Sequence, residues 1–233
     1  MKVTDREYAL ELDQNDPLAG YRSKFVITDP NLCYLDGNSL GRLPHATVKA
    51  VSDFLSQEWG NEVVTGWSHW IDEAQVAGDL LGRAVLGAGP GQVLVCDTTS
   101  VNFYQLCVAA IKARPGRKTV ITDAANFPTD RYILKGIAEQ FGLKLIIIDN
   151  EDPAIAENEL ITAELLEKYM SEDVAMVTFE VIQYRSGART DIQSVTDLAR
   201  SYGALVVWDA SHAAGAIEMN FDACGVDLAV GCT

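Results

Sequence analysis

From Gly91 onward, short β-branched runs alternate with amphipathic stretches, and that alternation leaves few folds open. Strands are predicted over residues 92–96, 119–122, 144–149, 174–180, 204–209 and 227–232. Helices are predicted over residues 99–113, 130–141, 162–170 and 191–202. The strand segments are apolar almost throughout instead of alternating apolar with polar. Such strands must be covered on both faces, which means a parallel sheet between two layers of helices. The predicted fold class is therefore α/β, a three-layer α/β/α large domain with a mostly parallel sheet.

The first part of the chain is less regular. Asp16-Pro17, Ala19-Gly20 and Asp29-Pro30 break it into an N-terminal helix and an irregular arm. Residues 32–35 form a short strand candidate that runs into the turn Asp36-Gly37-Asn38-Ser39-Leu40-Gly41. A helix is predicted from Pro44 to Trp59, with Val48, Val51, Phe54 and Leu55 on one face and Gly60 as its stop. A second helix is predicted over residues 71–87. The expected division is an N-terminal arm and small-domain segment over 1–70, and the ligand-binding part of the large domain over 71–233.

Composition narrows the function. The chain is 48% hydrophobic and 22% charged, as a soluble globular protein requires. A formal charge of −15 argues against nonspecific partnership with nucleic acid or an anionic membrane. The N-terminus is too polar for a signal peptide, and no apolar run approaches the ~20 residues that span a bilayer. The five cysteines show neither disulfide-framework nor metal-ligand spacing. They are expected to be reduced thiols in a cytoplasmic protein.

Parallel sheets bind ligands beyond the carboxyl ends of their strands. The residues there are Asp97 to Asn102, Asp123 to Asp130, Glu180 with Tyr184-Arg185-Ser186-Gly187, and Asp209 with Ser211 and His212. Thr98, Thr99 and Ser100 stand where a helix begins, so they either cap it or help its N–H groups hold a phosphate. Phe127 either fills core or stacks on a flat ring. Asp209 either caps a helix or faces a ligand cation. His212 lies close by and is either structural or part of the same site. No phosphate-binding glycine fingerprint is present.

Six segments carry a resemblance: YLDGNSLGRLP (34–44), EWG (58–60), DTTSVN (97–102), NFPTD (126–130), YRSG (184–187) and WDASHAAGA (208–216). In these the chain resembles kynureninase, a family of pyridoxal-phosphate hydrolases of the aspartate-aminotransferase-like fold type I. The resemblance implies a transferase-like large domain that binds pyridoxal 5'-phosphate. It implies that Thr99 and Ser100 hold the cofactor phosphate and that Phe127 stacks on the ring. Pro128, Thr129 and Asp130 would line the same pocket. Asp209 would pair with the ring nitrogen beside His212, these two being the catalytic candidates. Asn38 and Ser39 would face an amino-acid substrate. The implied reaction converts L-kynurenine or 3-hydroxykynurenine to an anthranilate and L-alanine, in tryptophan catabolism and NAD biosynthesis, by a homodimer.

Two features depart from the resemblance. Glu180 stands at a cofactor-contacting position that usually carries Ser or Thr. A carboxylate there is expected to put a second negative charge near the ring or to turn away into a salt bridge. In addition, no Lys or Arg follows Arg200, and the cofactor lysine would lie just past Thr233. The expectation is therefore that residues 1–233 are part of a longer chain. A cysteine desulfurase or class V aminotransferase relative, and a non-catalytic fragment, remain as alternatives.

Overall fold

The computed structural model describes residues 2–232. The chain divides into two units, Met1–Ile71 and Asp72–Thr233.

In the first unit, α1 (Arg6–Asn15) is followed by a 3-10 turn (Ala19–Lys24). The segment 32–35 is not a strand, contrary to expectation. The Tyr34 hydroxyl donates to Leu40 O at 2.7 Å and closes the turn carrying Asn38 and Ser39. Helix α2 (His45–Asp53) continues through a π-helical stretch (Phe54–Trp59) into α3 (Gly60–Glu62) and a 3-10 turn (Val63–Gly66). Gly60 does not stop the helix: its φ of −62° is helical, and the break comes at Val63 with φ of 51°. Val48, Val51, Phe54 and Leu55 are all exposed, so the apolar face of α2 is uncovered.

Helix α4 (Trp67–Leu81) contains the boundary between the units. It runs on through a π-helical stretch (Gly82–Leu86), and Gly87 ends it in the left-handed conformation that favours glycine.

The second unit carries a five-stranded, wholly parallel sheet in the order β2-β1-β3-β4-β5. The strands are β1 (Thr119–Asp123), β2 (Lys144–Ile148), β3 (Val174–Glu180), β4 (Leu205–Asp209) and β5 (Leu228–Val230). Helices α5 (Thr99–Lys112), α6 (Pro128–Phe141), α7 (Ala163–Glu167) and α8 (Ile192–Ser201) complete it. Segment 92–96 is extended but joins no sheet, which corrects its assignment as a strand. Its backbone partners lie on α4 instead: Val95 N–H donates to Ala74 O at 3.2 Å, and Gln75 Nε2 to Val93 O at 3.0 Å. Gly78 permits that approach, since a Cβ there would lie 2.0 Å from Val93 O.

Side-chain alternation along the strands builds two cores. Ile121, Val177, Phe179, Val206 and Trp208 pack with α7 and α8 through Leu166, Ile192 and Val195. Val120, Met176 and Val207 pack with α5 and α6 through Phe103, Cys107, Leu134 and Ile137. The result is the predicted three-layer α/β/α arrangement. The same alternation turns Glu180 and Asp209, two residues beyond Thr178 and Val207, toward the α5/α6 side at the carboxyl edge.

Candidate functional site

The carboxyl edge gathers side chains from four elements. Glu180 ends β3 and Asp209 ends β4, and the two are register partners. Both are buried, as are Asp123 at the end of β1 and Asp130 in the first turn of α6. Helix α6 begins at Pro128, two residues before the predicted start, because proline is well suited to a first helical position. Asp130 therefore sits in the first turn, where its charge would normally be favourable. Here burial outweighs that benefit.

Burial raises the Asp130 carboxyl well above its usual range, and the charge and hydrogen bonding of Asp209 raise it further. Burial likewise pushes Glu180 up to about 9, with the charges of Asp209, Asp123 and Asp130 adding to it. Asp123 rises to about 6, mainly through burial, although Asn150 and Gln183 donate to it. Carboxyls crowded in low dielectric hold protons because they cannot all be ionised together. With no ligand bound, Glu180 therefore favours its neutral form, with His212 Nε2 lying 3.9 Å from its Oε1.

Several atoms of this edge are unsatisfied. Asp130 Oδ2, Glu180 Oε1 and His212 Nδ1 are buried without a hydrogen-bond partner. Buried polar atoms are nearly always paired, so these three are available to a water or a ligand. Among the described residues, no lysine or arginine forms an ion pair with Glu180, Asp130 or Asp209. The edge is therefore suited to a cationic group.

Aromatic rings stand beside it. Phe127 meets Tyr184 edge-on at 5.2 Å between centroids, and His212 lies 6.4 Å from Phe127 and 6.3 Å from Tyr184. Phe127 is 38% exposed, so it is not a core aromatic and offers ring surface to a flat ligand. Pro128 and Thr129 are half-buried next to it.

Hydrogen bonds fix the loop carrying Phe127. Asn150 donates from Nδ2 to Asp123 Oδ2 at 2.7 Å and accepts the Ala125 N–H on Oδ1 at 3.0 Å. Gln183 Nε2 donates to the same Asp123 oxygen at 2.9 Å. Asn126 in turn accepts the Phe127 N–H at 2.7 Å. Sequence reasoning assigned no role to Asp123, Asn150, Gln183 or Tyr184. The available signal was their place just after strands β1, β2 and β3.

At the start of α5 the capping falls to Thr98. Thr98 is the N-cap, its hydroxyl accepting the Val101 N–H at 3.3 Å. Thr99 donates to Gly231 O at 3.3 Å, and the Ser100 hydroxyl makes no protein hydrogen bond. Both are half-buried and free of capping duty at a helix N-terminus, where an anion is favoured. The preceding residue, Asp97, has a strained positive φ of 47°.

Asn38 and Ser39 belong to the first unit. Both are exposed, and the Ser39 hydroxyl donates to Asp36 Oδ1 at 2.8 Å.

The aminotransferase class-V family model matches residues 33–232. Kynureninase of Pseudomonas fluorescens is 35% identical over 239 residues, covering 99% of this chain and 54% of that protein. The chain thus spans about half the length of the curated relatives it matches. A C-DES mutant with glycine covalently linked to the PLP cofactor has the same fold, with a TM-score of 0.71, 15% identity, and coverage of 87% of this chain and 52% of that one. So does the cysteine desulfurase CsdA of Escherichia coli, with a TM-score of 0.67, 18% identity, and coverage of 91% and 53%. Pyridoxal 5'-phosphate, the cofactor of class-V aminotransferases, fits the carboxyl edge. Orphaned acids suit its ring cation, exposed aromatic surface its ring, and hydroxyls that do not cap the helix its phosphate. The family model, the fold and this edge agree: the chain belongs to the aminotransferase class-V family.

Proposed function

We propose that this chain provides the cofactor-binding part of a kynureninase-like hydrolase. The substrate would be L-kynurenine or 3-hydroxykynurenine, cleaved between Cβ and Cγ to an anthranilate and L-alanine. That reaction belongs to tryptophan catabolism and NAD biosynthesis. The observation carrying this reading is 35% identity to kynureninase along nearly the whole chain. Bound there, pyridoxal phosphate supplies an electron sink for carbanion chemistry.

The resemblance assigns roles to this chain's residues. Asp209 keeps a proton on the ring nitrogen by facing it with a carboxylate. Thr99 and Ser100 bind the phosphate with the first N–H groups of α5. Phe127 and His212 flank the ring and exclude water, and Pro128, Thr129 and Asp130 close the side next to α6. Asn38 and Ser39 are assigned to the substrate by the resemblance alone. A homodimer is part of this reading, supported by the uncovered apolar face of α2. A cytoplasmic setting is supported by five free cysteines. No helix among the described residues is long and apolar enough to cross a membrane.

A second reading, a desulfurase acting on cysteine, is favoured by one observation: the acid at position 180. Incubating the protein as encoded by its gene with kynurenine and with cysteine separates the two. Fluorescent anthranilate is the expected product. Alanine from cysteine, with sulfide released by an added thiol reductant and without anthranilate from kynurenine, would overturn the hydrolase reading in favour of the second. No adduct reducible by borohydride would overturn both.

A further inference from the structure

The mechanism above gives Glu180 no task, yet it is among the largest wholly buried side chains of the chain. Its Oε2 accepts the Tyr184 N–H at 3.4 Å, and its Oε1 accepts nothing. The titratable groups facing it are Asp209 from β4, Asp123 from β1, Asp130 from α6, and His212 and Tyr184 from the turns after β4 and β3. His212 Nε2 lies 3.9 Å from Oε1. The charges of Asp209, Asp123 and Asp130 each disfavour a charge on Glu180.

A cation placed on Asp209 changes this balance. Asp209 and Glu180 are register partners, so a positive charge held by one lies beside the other. The arriving cation offsets the repulsion that kept Glu180 neutral. Whatever favours ionised Glu180 must, by linkage, expel its proton on binding. We propose that Glu180 makes the binding of a cationic ring at Asp209 proton-coupled: its O–H bond breaks, the proton passes to solvent, and the carboxylate becomes a second counter-charge. This rests on the cofactor reading given under the proposed function. A serine or threonine at this position has no proton to release, so the acid adds a pH dependence that a hydroxyl lacks.

The sign is fixed by that balance. Below about pH 9 the unliganded edge holds the Glu180 proton, so affinity rises with pH while that proton is being displaced. The rise is at most about tenfold per pH unit for one proton.

The test is calorimetric. Cofactor-stripped protein, as encoded by its gene, is titrated with pyridoxal 5'-phosphate at pH 7.5 in amine-free buffers of different ionisation enthalpy. The dependence of the heat on buffer gives the protons released. Wild type is expected to release about one proton more per site than E180Q and E180T, since each variant lacks one displaceable proton. Ligand and lysine ionisations are common to all three and cancel. Equal proton counts, with binding intact, overturn the inference and leave the cofactor reading standing. No heat and no absorbance change in wild type overturn the cofactor reading, and the inference with it. If both variants fail to fold, wild type decides alone. Its affinity, corrected for the free ligand's own ionisations, must rise between pH 7 and pH 9, and a flat profile overturns the inference.

Discussion

Glu180 and Asp209 lie opposite one another at the carboxyl ends of β3 and β4, both buried, with no lysine or arginine paired to either among the described residues. Two acids so placed cannot both be charged without a cation between or beside them. The cluster is costly for the empty protein and becomes favourable once a cationic ligand is present.

That cost gives the cofactor-stripped protein a particular pH dependence. A carboxyl whose folded value is raised binds its proton more tightly when folded. Its stabilisation is fully present below the unfolded value and is lost as pH rises to the folded one. For Glu180 the window runs from the usual carboxyl value of 4.5 to about 9. One extra bound proton corresponds to at most about 1.4 kcal/mol per pH unit. Thermal melts of stripped wild type and Glu180→Gln between pH 6 and pH 9 are expected to diverge, with wild type losing more stability as pH rises. Parallel profiles would contradict the buried neutral acid.

Asp209→Asn removes the charge that raises Asp130 and the counter-charge proposed for the ring nitrogen. Turnover is expected to fall on the order of 10²-fold or more, as when a preorganised electrostatic partner is lost. The cofactor's absorbance spectrum should shift in the same variant. Steady-state kinetics checks the first expectation and spectroscopy the second; turnover near wild type would remove Asp209 from its role.

Thr98 and Ser100 separate capping from ligand binding. Thr98→Ala removes the cap of α5 and is expected to cost about 0.5–2 kcal/mol in urea unfolding. Ser100→Ala should leave stability within about 0.5 kcal/mol, since its hydroxyl bonds no protein group. Cofactor affinity, measured by absorbance titration, should instead weaken several-fold in Ser100→Ala.

Asn150→Ala would deprive buried Asp123 of a donor and the Ala125 N–H of its acceptor. Leaving such groups unsatisfied costs about 1–3 kcal/mol each. The expected result is a clear loss of stability in denaturant melts, with a further upward shift of Asp123. A change below about 0.5 kcal/mol would show that the Phe127 loop is held by other contacts.

Much of the fold was legible because local pattern and burial agree in the parallel sheet. Runs such as Val174–Glu180 are apolar because both faces are covered, and this strand's predicted bounds match the structure. Segments 32–35 and 92–96 have the same apolar character yet are not in the sheet, because a ladder needs a neighbour as well as a propensity. For the second of these, the neighbour is helix α4. Gly60 failed as a stop because glycine permits a left-handed end without imposing one, and here it keeps helical dihedrals.

At the site, the residue types alone determined that acids, hydroxyls and an aromatic would meet at the carboxyl ends of the strands, since parallel strands deliver their last residues to one edge. The DTTSVN, NFPTD and WDASH segments announced that much. The preference of Glu180 for its proton, the pairing of Asp130 with Asp209, and the capping of α5 by Thr98 came only from tertiary structure. A carboxyl's charge depends on its burial and on which other charges lie within a few ångströms, and a hydroxyl's role depends on which N–H it faces. Those neighbours come from β1, α6 and β4, which are far apart along the chain and close together only once it is folded.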